Sequence, residues 1–199
     1  MRQQRSPILN HIAVLTSSVE RSAASLNEKG LQVGPAQEFP GEGTKEIYVG
    51  DLQSQRSLLL LMEPIATGSY QQALSKRGPG LHHLAIDVSS LNEFIHSLTG
   101  TGWFLLPQSV KSITEQKTAW LARPGFPALI EVQEREDMAA REDALISCLE
   151  IPNLEKFDSL IAALQVSEFQ PSKDQETWFV MKNGERIPLS QLFGQDEEI

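Results

Sequence analysis

A short phrase occurs twice in this chain, with a histidine at the same place in each copy and a separation of 72 positions between the two histidines. The first copy reads Asn10-His11-Ile12-Ala13-Val14 and the second reads His82-His83-Leu84-Ala85-Ile86. The agreement continues without a gap, since Ser17-Ser18-Val19 matches Ser89-Ser90-Leu91. A repeat that keeps its phase over about twenty residues indicates two copies of one structural unit. Each copy therefore places a histidine at the same point of its first strand, so packing of the copies against each other would bring two imidazoles together.

Both copies predict the same order of elements, namely a strand, a helix and about three further strands. The first unit covers residues 9–65, and its helix begins after Ser18 and ends at Gly30. The second unit covers residues 82–134, and a short helix over 70–77 is predicted between the two units. The predicted strands lie at 11–15, 46–49 and 57–62 in the first unit, and at 82–88, 103–106, 117–122 and 128–133 in the second, whose helix is predicted at 91–98.

The segment 135–199 differs from the two units in composition and is predicted to be a C-terminal extension. It starts with a charged stretch, 135–143, for which a solvated helix is predicted. Residues 149–154 then align with 86–91, so the extension is predicted to be a partial third unit in which Ile146 replaces the histidine. Asn183-Gly184 predicts the tight turn of a hairpin. We expect the extension to cover an edge or face of the sheet, with dimerisation as the alternative role.

Composition excludes several classes of protein. The formal net charge of −9 argues against nonspecific binding to nucleic acid, which depends on clustered basic residues. The longest apolar run, Leu58 to Met62, is far shorter than the ~20 residues that a membrane span needs, and no signal-peptide pattern follows Met1. Cys148 is the only cysteine, so no internal disulfide forms, and we expect a cytoplasmic protein in which Cys148 packs as a small core residue.

One acidic residue in the second unit stands out as a partner for the two histidines. Glu131 interrupts the apolar run from Ala128 to Val132, where a buried carboxylate needs a counter-charge or a metal. Two neutral imidazoles and one carboxylate suit a divalent cation and leave coordination positions open. The phase of the repeat selects His83 rather than His82, because neighbouring strand residues face opposite ways. The alternative is that all three are ordinary structural residues.

These features resemble the vicinal oxygen chelate superfamily, which includes glyoxalase I, the extradiol dioxygenases and the methylmalonyl-CoA epimerases. The resemblance is most detailed with the epimerases, over residues 9–134. It implies an α+β fold in which paired βαβββ modules form a curled mixed sheet around a shared cleft. The segments that carry the resemblance are 10–14, 46–47, 61–64, 80–83 and 129–131.

The resemblance also implies a site and a reaction. His11, His83 and Glu131 match the superfamily's metal positions, for a divalent ion such as Co, Mn, Zn, Ni or Fe. Glu46 matches the catalytic base of the epimerases, which removes the proton alpha to a carbonyl while the metal stabilises the enolate; the alternative is a solvated strand residue after Lys45. The implied partner is a small-molecule substrate such as an acyl-CoA. Whether one chain or a homodimer completes the cleft stays open.

Two departures from the superfamily pattern qualify that reading. Leu60 stands where a fourth ligand is common, and leucine cannot bind a cation. Glu63 is three residues further along the strand, so it is predicted to face the other way. The segment 107–117 lacks the glycine-punctuated loop of the epimerases. Two alternatives therefore stay open, namely an Fe(II)-dependent extradiol-type dioxygenase with three protein ligands and a metal-free small-molecule binding protein of the same fold.

Overall fold

The computed structural model of the protein describes residues 6–138 and 143–193. The first module contains β1 (Ile8–Leu15), α1 (Val19–Glu28), β2 (Gln37–Phe39), β3 (Thr44–Val49), β4 (Gln55–Arg56) and β5 (Leu58–Pro64), and α2 (Ser69–Arg77) leads to the second. The second module contains β6 (Gly80–Val88), α3 (Leu91–Ser97), β7 (Phe104–Leu105), α4 (Ser109–Gln116), β8 (Thr118–Ala122) and β9 (Leu129–Glu134). The extension contains β10 (Asp143–Ala144), β11 (Ile146–Ile151), α5 (Asp158–Leu164), β12 (Phe169–Pro171), β13 (Trp178–Met181) and β14 (Arg186–Pro188), with 3-10 turns at Leu154–Phe157 and Leu189–Leu192.

The two modules share one eight-stranded mixed sheet with the order β2-β3-β5-β1-β6-β9-β8-β7. Each module contributes four neighbouring strands, and its last strand lies parallel to its first, β5 beside β1 and β9 beside β6. The modules join where β1 pairs with β6 in antiparallel orientation. The predicted mixed α+β fold with paired βαβββ modules is therefore confirmed, while the curl of the sheet stays a prediction.

Equivalent residues of the two repeat copies pair with equivalent positions of the last strand in each module. In the first module Leu60 of β5 pairs with Ala13 of β1, and in the second module Glu131 of β9 pairs with Ala85 of β6. Ala13 and Ala85 occupy the same place in the two copies of the repeated phrase. Leu60 and Glu131 therefore occupy equivalent positions, one in each module.

The first turn of each module's main helix is fixed by the same two side chains. The N-cap serine, Ser18 for α1 and Ser90 for α3, accepts a hydrogen bond from a backbone N–H of that turn. A glutamate at the end of the adjacent strand accepts from the first N–H of each helix at 2.9 Å, Glu63 for α1 and Glu134 for α3. Glu63 thus points towards α1 and away from the position of Leu60, as its offset of three residues predicts.

The sheet has two differently covered faces. On the helix face, α1 and α3 pack on a large apolar core that includes Ile12, Leu84 and Ile130. The opposite face carries His11 and His83 and is called the site face below. There α2 packs its Tyr70, Ala73 and Leu74 against a smaller cluster made of Ala13, Leu15, Leu60 and Met62.

The helix α4 is the main element that the sequence did not predict. The side-chain hydroxyl of Ser109 donates to the carbonyl of Trp120 and accepts from its N–H, which anchors the start of α4 to β8. The helix ends at Gln116, and the next residue, Lys117, has a left-handed φ of +53°. The predicted charged helix over 135–143 is wrong for residues 135–138, and residues 139–142 lie outside the described residues. Within the described ranges, no helix has both the length and the apolar character needed to cross a bilayer.

The extension forms its own four-stranded sheet with the order β12-β11-β13-β14. The predicted hairpin is confirmed, since β13 and β14 pair across Asn183-Gly184. The order of elements along the chain repeats that of the modules, but the order of strands does not, because β11 lies between β12 and β13 rather than beside the last strand. A common origin with the modules stays a prediction.

The extension packs against the first module. Short strands β4 and β10 pair in parallel, and Arg56 forms an ion pair with Glu168 at 3.4 Å. Phe179, Met181 and Ile187 of the extension meet Leu26, Val49 and Leu59 of the first module around one small apolar space. The extension therefore covers part of the first module's helix face, which is the first of its two predicted roles. Cys148 is buried in it.

Candidate metal centre

The three side chains predicted as metal ligands lie together on the site face, at the junction of the modules. The Nε2 atoms of His11 and His83 are 3.1 Å apart, and Oε2 of Glu131 lies 3.9 Å from the first and 3.4 Å from the second. A triangle with these sides has a circumradius of about 2.0 Å, which is the length of a bond from a first-row divalent metal to nitrogen or oxygen. One ion therefore fits at bonding distance from all three atoms.

Burial shapes the charge of these groups. His11 is 4% exposed, His83 is 3% exposed and the side chain of Glu131 is 13% exposed. Burial, and after it the neighbouring His11 and His82 rings, lowers the pKa of His83 well below its usual value. Burial also raises the pKa of Glu131 to about 7. Burying the ionised carboxylate of Glu131 is unfavourable, and a divalent cation among the three donors would offset this because its positive charge favours the ionised form. The neutral imidazoles are already in the form that binds a metal.

Each histidine has its second ring nitrogen held by the residue that precedes it in the chain. Nδ1 of His11 donates to Oδ1 of Asn10 at 2.9 Å, and Nδ1 of His83 lies 2.8 Å from Nδ1 of His82. Burial, and secondly the charge of Arg77, lowers the pKa of His82 to about 4, so its ring is neutral and either ring of the His82–His83 pair can donate this hydrogen bond. The Asn10 oxygen fixes His11 in the tautomer with a bare Nε2, and His83 takes the same tautomer when it donates to His82.

The donor set makes the site fit a cation. Nε2 of His11 and Nε2 of His83 face each other across 3.1 Å, so a shared proton or a cation between them offsets the repulsion of their lone pairs. The carboxylate oxygen of Glu131 adds a third lone pair at the same place. The chemistry of the donor set therefore matches a divalent metal ion that His11, His83 and Glu131 would hold.

Aromatic rings enclose the donors, and the repeat relates two of these rings. Tyr48 lies edge-on to His11 with ring centroids 5.7 Å apart, and Trp120 lies edge-on to His83 at 5.1 Å. A third ring, Tyr70 of α2, covers His82 at 4.9 Å. These rings shield the site from water, so charges inside it interact strongly.

The position of the superfamily's fourth ligand is apolar. Leu60 is 3% exposed and packs with Ala13 and Met62 beneath α2. Among the described residues, the cluster that presents donor atoms at metal distance therefore consists of His11, His83 and Glu131.

Glu46, the predicted base, lies on β3 and is 9% exposed. The hydroxyl of Thr44 donates to Oε1 of Glu46 at 2.8 Å, and burial raises the pKa of Glu46 above its usual value. Burial, followed by the charges of Glu42, Glu46 and Glu131, raises the pKa of Tyr70 to about 12. The alternative of a solvated strand residue does not fit this burial.

Sequence reasoning missed several residues that surround the donors. Asn10 and His82 each precede one of the two clustered histidines, and their equivalent places in the repeated phrase were a signal for a shared role. Tyr70 and Gln133 gave no such signal. A cavity of about 190 Å³ lies elsewhere, beside Leu15 and Arg77. None of His11, His83 and Glu131 lines this cavity.

Comparison with known proteins places the fold and the repeat in a family. The model of the glyoxalase/bleomycin resistance protein/dioxygenase superfamily matches residues 10–120, and the chain belongs to this superfamily. The resemblance inferred from the sequence is therefore confirmed.

Among solved structures, the chain is similar to a hypothetical protein from Bacillus halodurans C-125. The two are 23% identical, the match covers 68% of this chain and 99% of that one, and the TM-score is 0.53. Methylmalonyl-CoA epimerase from Mycobacterium tuberculosis is 19% identical over 63% of this chain and 86% of its own, with a TM-score of 0.47. A variant Streptomyces coelicolor epimerase in complex with 2-nitronate-propionyl-CoA is 16% identical over 64% and 97%, with a TM-score of 0.49. No curated protein matches.

Proposed function

We propose that this protein is a metal-dependent enzyme that removes a proton alpha to a carbonyl group, as an epimerase or related isomerase does. The single observation that carries the proposal is the triangle of donor atoms formed by His11, His83 and Glu131, in which the bond from Nδ1 of His11 to Asn10 leaves Nε2 of His11 bare. A bound divalent cation supplies a Lewis acid that stabilises negative charge on a carbonyl oxygen. The ion is one of Co, Mn, Zn, Ni or Fe, which share this donor chemistry.

Glu46 is the proposed base. Its carboxylate is buried on the site face and is hydrogen-bonded by Thr44 through one oxygen. The other oxygen makes no hydrogen bond within the described residues and is available to take a proton from a bound substrate. Burial raises the pKa of Glu46 towards the range in which a carboxylate is an effective base near neutral pH.

The substrate class proposed is a small carbonyl compound, with an acyl-CoA thioester as its first candidate. The residues around Glu46 and the repeated histidine phrase support this choice, because they resemble the epimerases. The enclosed, aromatic-lined site supports a small reacting group rather than a polymer. The CoA portion would extend outside it.

An isotope-exchange assay tests the reaction. Metal-loaded protein in deuterated water is expected to exchange the alpha proton of methylmalonyl-CoA, measured by mass spectrometry. Glu46→Gln is expected to lower the exchange rate by at least about a hundred-fold while metal content is kept, because a general base contributes that much. The matched control is Glu38→Gln, an exposed glutamate on the neighbouring strand β2, which should exchange at the wild-type rate. Loss of metal in Glu46→Gln contradicts the assignment as a base.

The apolar fourth position favours a second candidate. Two histidines and one carboxylate with open positions are also the ligand set of non-haem Fe(II) oxygenases, and Leu60 leaves this site with three protein donors. Oxygen consumption with a catechol and Fe(II), together with no proton exchange, supports a dioxygenase. Protein that binds no stoichiometric Co(II) after purification without chelator supports a metal-free binding protein.

A further inference from the structure

A closed ring of polar contacts links two of the three donors around the outside of the site. On one side, Asn10 accepts from His11 and its Nδ2 donates to Oδ2 of Asp87 at 2.8 Å. On the other side, Nε2 of Gln133 donates to Oε1 of Glu131 at 2.9 Å. Arg135 joins the two sides and so completes the ring.

The guanidinium of Arg135 makes both of the joining contacts. One of its terminal nitrogens donates to Oε1 of Gln133 at 2.5 Å, and its Nε lies 3.6 Å from Oδ1 of Asp87. The planar guanidinium has several donors in fixed directions, so it can hold an amide and a carboxylate at once. The backbone of Arg135 is also fixed, because its N–H donates to the carbonyl of Val88 at the end of β6.

Among the described residues, the part of the ring formed by Asp87, Arg135 and Gln133 has no counterpart in the first module. The repeat places Leu15 at the position of Asp87, and the strand register places Met62 at the position of Gln133. Both of these first-module residues are apolar and belong to the cluster beneath α2. The polar residues of the ring therefore lie in the module that contains Glu131. The equivalent positions in the module that contains Leu60 are apolar.

We propose that Arg135 is a positioning residue that sets the metal affinity of the site by aligning His11 and Glu131 together through Asn10, Asp87 and Gln133. The inference rests on the proposed metal centre. Contacts of this kind around metal ligands typically change affinity by about 10- to 100-fold when they are removed. Arg135 touches neither donor, so it acts through the residues between them.

A purely electrostatic role for Arg135 predicts the opposite sign. Removing a positive charge near a cation site strengthens cation binding, because it removes repulsion. Removing the alignment of the donors weakens cation binding. The direction of the change therefore separates the two roles.

The test is a Co(II) titration of the full-length chain, followed by visible absorption. Arg135→Gln is expected to weaken the Kd for Co(II) by about ten-fold and to change the Co(II) absorption bands, since donor geometry sets those bands. Arg135→Lys keeps the charge but not the planar fork and is expected to weaken binding as well. The matched control is Arg123→Gln, an exposed arginine of the same module, which should match the wild type. Gln133→Met, which installs the first module's residue, should weaken binding without a change in charge.

Binding by Arg135→Gln that is tighter than in the wild type, or equal to that of Arg123→Gln, overturns the proposal. A metal-free readout separates this outcome from failure of the proposed metal centre. In protein kept with chelator, ring-nitrogen NMR should find the His11 proton on Nδ1 in the wild type and partly on Nε2 in Arg135→Gln. If the wild type binds no Co(II) but this shift occurs, the alignment role stands and the metal centre does not. An unchanged tautomer overturns the alignment role.

Discussion

At the scale of single residues, the repeat pairs His11 with His83 and Leu60 with Glu131, and the second of these pairs differs in chemistry. The two histidines, and the two rings edge-on to them, are related by the repeat. Glu131 and Leu60 hold equivalent register positions but differ in chemistry. The first module therefore supplies an apolar wall where the second supplies a donor.

Restoring a donor at this position is a direct test of the equivalence. Leu60→Gln is expected to destabilise the metal-free protein by about 2–4 kcal/mol, because it buries an amide and removes packing. Excess Co(II) should then raise the melting temperature of the variant by more than it raises that of the wild type, since a new ligand is gained. Differential scanning calorimetry with and without Co(II) measures both effects.

The control for this experiment is Leu61→Gln, which places the same amide one residue along, in the buried core of the helix face. It should be destabilised similarly and gain no extra protection from Co(II). Equal protection of both variants by Co(II) contradicts the assignment of Leu60 to the ligand position.

The donors themselves were predictable from the sequence, while the residues that orient them were not. The repeat identified His11 and His83, and an acidic residue in an apolar strand identified Glu131. Asp87 and Arg135 meet only because β6 and β9 pair in a particular register. No periodicity along the chain encodes such a cross-strand contact, so sequence reasoning could not find it.

At the scale of elements, the modules preserve the way in which their helices begin. A serine cap and a strand-end glutamate satisfy the first N–H groups of both α1 and α3. Each carboxylate also lies at the positive end of a helix dipole. The repeat therefore conserves helix initiation as well as the histidines, between the two copies in this one chain.

The contribution of the strand-end glutamate to the free energy of unfolding depends on pH and can be measured for Glu134. The hydrogen bond from Leu91 N–H, assisted by the Lys117 ammonium, lowers the pKa of Glu134 below its usual value. A lowered pKa in the folded state means that the ionised form stabilises the protein above about pH 4.5, and that this contribution is lost as the pH falls through the folded-state value. Glu134→Gln should therefore cost about 0.5–1 kcal/mol at pH 7 and progressively less below pH 4.

Urea unfolding at several pH values measures the difference. Glu38→Gln, an exposed change without a helix contact, serves as the control and should stay close to the wild type at each pH. A constant deficit for Glu134→Gln from pH 7 to pH 3 would mean that the carboxylate charge does not matter.

Most elements could be predicted from local patterns, and α4 shows why one could not. Its residues follow no clear apolar stripe, since Val110 is 79% exposed and Ser109 is the residue of the helix that is buried. The helix is held instead by the bonds of Ser109 to the neighbouring strand β8. Tertiary contacts of this kind override weak local preferences.

At the scale of the whole molecule, the extension and the first module share one apolar core. Leu145 and Phe179 of the extension belong to the same buried cluster as Leu26 and Val49. The amino-acid composition changes after residue 134, but the apolar core contains residues from both sides of that boundary. The sequence could not reveal this contact, because the charged stretch after Glu134 is typical of a boundary.

This shared core predicts cooperative unfolding. Phe179 is 1% exposed, so Phe179→Ala should cost about 3–5 kcal/mol through lost burial and a new cavity. Calorimetry should find one transition that moves as a unit, because the cluster spans both regions. The control is Phe104→Ala, since Phe104 is 46% exposed and its loss should change little. Two transitions, of which only one moves, would show that the extension unfolds independently.

The three donors of the candidate metal centre lie on both sides of the junction between β1 and β6, so a bound ion would link the two modules. One histidine lies on each side of that junction, and Glu131 lies on the side of the second module. An ion held by all three would fasten the two halves of the duplicated chain together, and its release would leave the strand hydrogen bonds and the shared apolar core as the links between them. Occupancy of the site would thus be coupled to the rigidity of the whole sheet.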